Sequence, residues 1–284
     1  MDSDEKEYRA KLVQSNPESW LELLDGLTMV SVLVPLPADV TFKGADNALV
    51  EALDRAIKHV GGKAFCRTSL RSPKDSSRAI ALQKEFVREQ LETSSDDNRK
   101  MICLLEGALR GMCVRSGLEA YRLLADSERV REDLLRFRAE CPSVVVREWM
   151  DIDPAREWRC FAVDGRITAV SQYYSTLFFP ALLQQKTRDA LLIVEAFDKQ
   201  VWPRLQKQAG FAQMIIDFVL VGEHAVVVEL NPFSEATHAC LFDWNADKKV
   251  LLGLALAGRP EVRVREAPLV LTKADKMVLS DFLK

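Results

Sequence analysis

The stretch Glu157-Trp158-Arg159-Cys160-Phe161-Ala162-Val163-Asp164-Gly165-Arg166-Ile167-Thr168-Ala169-Val170-Ser171 constrains this chain more than any other. Two runs rich in β-branched and aromatic residues flank a bare Asp-Gly. That pattern is the strongest short-range signal for a tight β-hairpin, because Asp and Gly tolerate the positive φ that both turn positions need. A second pair of runs, Met214 to Val221 and Ala225 to Asn231, is separated by Gly222-Glu223-His224 and reads as another hairpin. A helical pattern from about Gln184 to Gln208 lies between the two. Antiparallel hairpins interleaved with helices make an α+β fold.

Register then places chemistry. If the second hairpin turns about Glu223, Asp217 lies opposite Glu229, and Asn231 shares their face because side chains alternate along a strand. Two carboxylates facing each other across a sheet repel, so a cation is expected between them. Hard oxygen donors favour magnesium or manganese. The alternative is a solvated strand end with the register off by one. In the first hairpin, pairing about Asp164-Gly165 sets Arg159 opposite Val170 and Glu157 opposite Gln172, with Glu157 and Arg159 on one face. An arginine there suits phosphate oxygens, although Glu-x-Arg in a strand, taken alone, is more often a cross-strand ion pair.

Upstream, Met29 to Pro37 reads as a strand stopped by prolines, after a short helical opening around Trp20 to Leu24. Asp46 caps a helix with Leu49, Leu53, Ile57 and Val60 on one stripe, closed by Gly61-Gly62. Lys63 to Thr68 is a short strand, and the turn Arg71 to Ser76 leads into a helix ending near Leu91. Glu92 to Lys100 is expected to be an exposed loop, 101–105 a strand, 117–138 one long helix, and Val144 to Trp149 a strand. The arginines at 122, 129, 131, 136 and 138 alternate with acids and read as a solvated face.

At 284 residues, 48% hydrophobic and 29% charged, the chain has the balance of a globular protein with a sizeable core. A net charge of −3 gives no overall attraction to nucleic acid or to an anionic membrane. No run approaches a membrane span and the first residues are charged, so a cytoplasmic protein is expected. The six cysteines form no Cys-x-x-Cys pair and read as reduced, mostly buried thiols, and the three histidines show no metal-ligand spacing.

The order of pieces carries a resemblance. A Glu-Trp-Arg-Cys-Phe hairpin, a long helix, an isolated Asp217 and then Val-Val-Glu-Leu-Asn-Pro resembles the ATP-grasp proteins. Thr28 to Pro37, Ser72-Pro73-Lys74-Asp75, Val146-Arg147-Glu148-Trp149, Val170-Ser171-Gln172-Tyr173, Glu229 to Phe233 and Leu241-Phe242-Asp243-Trp244 are similar, in order, to the cell division cycle protein 123 (D123) family, an ATP-grasp variant. The resemblance implies two lobes with mostly antiparallel sheets and a nucleotide between them: 1–143, then 144–260, with 261–284 as an extension. It implies ATP and Mg2+ as ligands, with Asp217, Glu229 and Asn231 on the metal. Arg67, Lys74, Arg147, Glu157 and Arg159, and the hinge segment Val146, Arg147, Glu148 and Trp149, are implied on the nucleotide.

The family's phosphate lysine is replaced by Arg67, with Lys63 as the alternative, and Glu229 stands where the family commonly has aspartate. Lys74 is open to a phosphate contact or to stabilising the next helix. The implied function is assistance in assembling eukaryotic translation initiation factor 2 through its gamma subunit. The alternative is an ATP-grasp ligase acting on a carboxylate or on RNA, and only that alternative involves nucleic acid. Whether the chain is an enzyme stays open at this point. It shows no activated nucleophile and no Gly-rich phosphate loop.

Overall fold

The computed structural model describes residues 3–42, 44, 46–91, 96–255 and 258–283. In chain order its elements are α1 (Ser3–Ser15), α2 (Pro17–Trp20), β1 (Ser31–Pro35), α3 (Asn47–His59), β2 (Ala64–Thr68), α4 (Ser77–Leu91), α5 (Asp97–Gly111), β3 (Cys113–Val114), α6 (Gly117–Ala125), α7 (Glu128–Arg136) and β4 (Ser143–Glu148). There follow β5 (Glu157–Val163), β6 (Arg166–Gln172), α8 (Leu182–Ala196), α9 (Trp202–Leu205), β7 (Gln213–Val221), β8 (His224–Pro232), α10 (Lys248–Leu251), β9 (Glu261–Arg263) and α11 (Lys273–Leu283). The fold is mixed α+β with mostly antiparallel sheets. It divides into two compact units: Met1–Met29 with Met150–Pro268, and Val30–Trp149 with Leu269–Lys284.

The Val30–Trp149 unit carries a four-stranded sheet in the order β1-β4-β2-β3. Asp46 caps α3 as expected, its side chain accepting from the Leu49 N–H. The apolar stripe Leu49, Leu53 and Ile57 packs into one core with Leu123, Leu124, Val144 and Val146. The expected strand at 101–105 is instead part of α5, which also takes in 97–100 of the expected loop; 92–95 lie outside the described residues. The run Met101 to Leu105 looks like a strand alone, but Cys103, Gly107 and Gly111 recur every fourth residue on a buried helical face. That face admits α4: a Cβ added to Gly111 would lie 2.5 Å from the Ala79 carbonyl oxygen.

The expected single helix over 117–138 is two. The backbone turns extended at Ser127, which caps α7 through the Val130 N–H, while the side chain of Asp126 just before it takes the Ser77 N–H and hydroxyl, capping α4. Asp75 reciprocates by accepting from the Ser127 hydroxyl and the Arg129 N–H, and Arg71 donates to both oxygens of buried Asp133 at 2.9 Å. The Ser-Pro-Lys-Asp turn is thereby stapled to the start of α7. Exposed Lys74 takes no part in the capping, which falls to Asp126.

Where α6 crosses α3, a Cβ on Gly117 would lie 2.0 Å from the Val50 carbonyl oxygen and 2.7 Å from the Asp54 nitrogen. Both are backbone atoms, so no rotamer relieves the clash. Gly117→Ala is expected to lose about 3 kcal/mol in denaturant unfolding. A loss below about 0.5 kcal/mol would show that the two helices separate freely.

The other unit carries a five-stranded sheet in the order β8-β7-β5-β6-β9, with β9 parallel to β6. Both expected hairpins form. Asp164 and Gly165 have φ of 48° and 75°, the double positive φ that an Asp-Gly turn supplies. Between the hairpins α8 continues through a π-helical turn at Phe197–Val201 into α9, and this wider turn brings in Pro203, which has no N–H to donate. The helical opening expected at Trp20 to Leu24 ends at Trp20 and is preceded by α1.

Two bulges correct the expected registers. Beyond a shift between Phe161 and Ala162, Arg159 faces Ser171, not Val170, and Trp158 takes the place opposite Gln172. In the second hairpin the turn is only Gly222-Glu223, and the register shifts between Asp217 and Phe218, with Val228 as the extra residue. Asp217 still faces Glu229, because the bulge supplies the residue that a longer turn was expected to supply.

Candidate functional site

One line of directly paired residues crosses all five strands: Arg263, Ser171, Arg159, Asp217 and Glu229. Alternation adds Glu157 and Asn231 to the same face and sends Trp158, Cys160, Ile216 and Phe218 into full burial on the other. The charged face is flanked by an aromatic cluster of Phe161, Phe233, Phe242 and Trp244 with Ile215 and Leu251. The chain after β8 thus folds back along this face.

On the side of Asp217 away from Glu229 stands a cationic side chain, Arg159. Its Nε and Nη2 donate to the two Asp217 oxygens at 2.8 Å each, the planar two-point pairing that arginine makes best. Its Nη1 donates to the His238 carbonyl at 2.7 Å, and the Tyr173 ring lies 4.9 Å from the guanidinium carbon. Asn231 Nδ2 donates to Asp217 Oδ2 at 2.9 Å. The two side chains of the pair are 7% and 1% exposed, so water screens this ion pair little.

Burial raises the Asp217 carboxyl above its ordinary value, and Arg159 opposes that rise by charge and by hydrogen bonding. Burial works against the Arg159 charge in turn, but Asp217 outweighs it and strengthens the hold on the proton. The geometry is that of an ion pair. Around it, burial pushes the Tyr173 and Tyr174 hydroxyls well above the ordinary phenol value, with Glu157 and Asp217 adding to the effect. Burial also pushes the Cys240 thiol up to about 12, against the pull of Arg159. Cys240 is therefore a thiol and not an attacking thiolate at neutral pH.

Glu229 and Asn231 are half-buried beside this pair, and Glu157 is buried. Asn231 also lines a cavity of ≈260 Å³ that Lys11, Gln14, Phe211 and Phe233 help to enclose. Two carboxylates and an amide form a hard donor set that fits a divalent cation, except that both oxygens of Asp217 are taken by Arg159. Among the described residues no three His, Cys, Asp or Glu side chains gather as a metal cluster.

The remaining expected site residues belong to the Val30–Trp149 unit. Val146 is buried in β4, which is paired on both sides by β1 and β2. The Glu148 N–H donates to the Val30 carbonyl and the Trp149 N–H to Lys63, so these two hinge donors are spent within the protein. Arg147 is buried, with Nε on the Ser31 hydroxyl. Arg67 is also buried, and it donates to the Thr68 and Leu70 carbonyls, closing its own turn. Lys63 and Lys74 are exposed. Any nucleotide role for these residues rests on resemblance.

Sequence reading missed Tyr173, His238 and Cys240 around the pair. It also missed Arg156, which donates to both oxygens of buried Asp189 at 2.8 Å and to the carbonyl of Gly222 in the β7–β8 turn. A Pro-Ala-Arg turn before the hairpin and one Asp in α8 give no local sign of meeting. All six cysteines are free, as expected, and no described helix is long and apolar enough to cross a membrane.

This arrangement sits in a recognisable chain. It is 22% identical over 206 residues to the translation initiation factor eIF2 assembly protein of Candida albicans, covering 68% of this chain and 51% of that protein. The corresponding Dictyostelium discoideum protein is 21% identical over 216 residues, with 73% and 47% covered. The cell division cycle protein 123 of Candida glabrata is 30% identical over 144 residues, with 45% and 38% covered. The chain thus spans about half the length of the first two of these curated relatives. Its fold is that of Cdc123 from Schizosaccharomyces pombe, with a TM-score of 0.67 at 20% identity over 90% of this chain and 96% of that one. The D123 family model matches residues 107–264, more than half of the sequence and the whole of the Arg159–Asp217–Glu229 row, and the chain belongs to that family.

Proposed function

We propose that this chain binds ATP together with Mg2+ and assists the assembly of eukaryotic translation initiation factor 2 in the cytoplasm, docking on its gamma subunit. The observation that carries the reading is the row of buried Arg159, buried Asp217 and half-buried Glu229 with Asn231 beside it, in a member of the D123 family. The eIF2 link is supported by the names of the relatives.

On this reading Asp217, Glu229 and Asn231 supply oxygen to the cation, which neutralises phosphate charge, and Arg159 addresses phosphate oxygens. Protonated Cys240, Tyr173 and Tyr174 leave the site without an activated nucleophile among these groups, which argues against a covalent enzyme intermediate on any of them. Nucleotide would then act by mass action, stabilising the state that receives the partner.

Purified gamma subunit is expected to be captured by the chain in the presence of ATP and Mg2+, and more weakly in EDTA. Failure of capture, together with ADP or AMP formation on a carboxylate or RNA acceptor, would replace the assembly reading with an ATP-grasp ligase.

A further inference from the structure

We propose that Arg159 is a latch on Asp217, so that Asp217 is not released to the cation, nor Arg159 to the phosphate, until both ligands arrive together. The inference rests on the nucleotide reading above and deepens it. That reading assigns Asp217 to the metal and Arg159 to phosphate, yet each occupies the other in this structure. Both Asp217 oxygens accept from Arg159 at 2.8 Å, and one of them also accepts from Asn231 at 2.9 Å. Every nitrogen of the Arg159 guanidinium is engaged, the third on the His238 carbonyl at 2.7 Å.

The pair is almost wholly buried, and this sets the rule for opening it. If Asp217 turned to a cation alone, Arg159 would be left as an unpaired buried charge. If Arg159 turned to phosphate alone, Asp217 would be left in the same state. Removing one partner of a buried ion pair is strongly unfavourable, whereas exchanging both partners at once conserves the number of pairings. Arg159 moves from carboxylate to phosphate while Asp217 moves from guanidinium to cation. Metal and nucleotide then assist each other through a coupling internal to the protein, reciprocal by thermodynamic necessity.

The test is calorimetric titration of the full chain with Mn2+ alone, with ATP in EDTA, and with Mn2+ and ATP together, in wild type, Arg159→Gln and Arg159→Lys. Wild type is expected to bind Mn2+ alone poorly. Arg159→Gln removes both guanidinium hydrogen bonds from Asp217 and should tighten Mn2+ binding in the absence of nucleotide by on the order of tenfold or more. Arg159→Lys keeps the charge but engages one point only, so it should also tighten Mn2+ binding. A lysine variant indistinguishable from wild type beside a tighter glutamine variant would show simple charge repulsion and overturn the latch.

Should the variants not fold, the Arg159 Nε–H resonance of the wild-type protein reports directly. It is expected to stay in place with Mg2+ alone and to shift with Mg2+ and ATP. A full shift with Mg2+ alone, or none at saturating Mg2+ and ATP, overturns the latch while leaving nucleotide binding intact. Absence of ATP binding in every arm overturns the nucleotide reading, and the latch with it.

Discussion

Asp217→Ala is expected to abolish metal-dependent ATP binding and, in the same variant, to cost about 3–5 kcal/mol of stability. In the structure Asp217 is 1% exposed and takes two charge-assisted hydrogen bonds from Arg159. Alanine leaves that guanidinium buried among the Tyr173 ring, the His238 carbonyl and the Cys240 thiol, with its carboxylate partner gone. Denaturant unfolding and calorimetric titration with ATP and Mg2+ check the two halves separately. Asp217→Asn keeps the shape and one acceptor, so it should lose metal-dependent binding with a smaller stability cost. Unchanged nucleotide affinity in both variants would remove Asp217 from the site, and unchanged stability of the alanine variant would mean that Arg159 reaches water.

Phe161→Ala should be about as costly, about 3–5 kcal/mol, for a different reason. The Phe161 ring is fully buried and meets Phe233, Phe242 and Trp244 edge-on, with centroids 6.1, 5.8 and 5.8 Å away. These three rings belong to the segment after β8, which also brings the His238 carbonyl onto Arg159. Emptying the centre of the cluster therefore loosens a ligand of the charged pair, although Phe161 touches no charge itself. Affinity for ATP with Mg2+ should fall along with stability, and Phe161→Leu should recover most of both. A destabilised alanine variant that binds nucleotide normally would show that the aromatic cluster does not orient Arg159.

How far each feature could be read depends on how local its cause is. The Asp164-Gly165 turn, the Asp46 cap and the stripe of α3 depend on neighbours within a few residues, and they appear as expected. The apolar run in helix α5 resembles a strand in isolation; the small residues Gly107 and Gly111 matter only once α4 lies against them. The break after Asp126 leaves no local mark, because the Asp126 side chain serves Ser77, far away in sequence. Bulges are the hardest case, since one extra residue leaves no mark in composition yet shifts every pairing beyond it.

The amino-acid sequence by itself determined that two hairpins form and that Asp217, Glu229 and Asn231 share a face, because turn chemistry and side-chain alternation act between adjacent residues. Only the tertiary structure decided what answers their charge. Strand β5 pairs with β7 across more than fifty residues of chain, bringing Arg159 opposite Asp217, and burial then turns that proximity into an ion pair that water screens little. Pairing between distant strands is settled by the packing of whole faces, which no short stretch of sequence records.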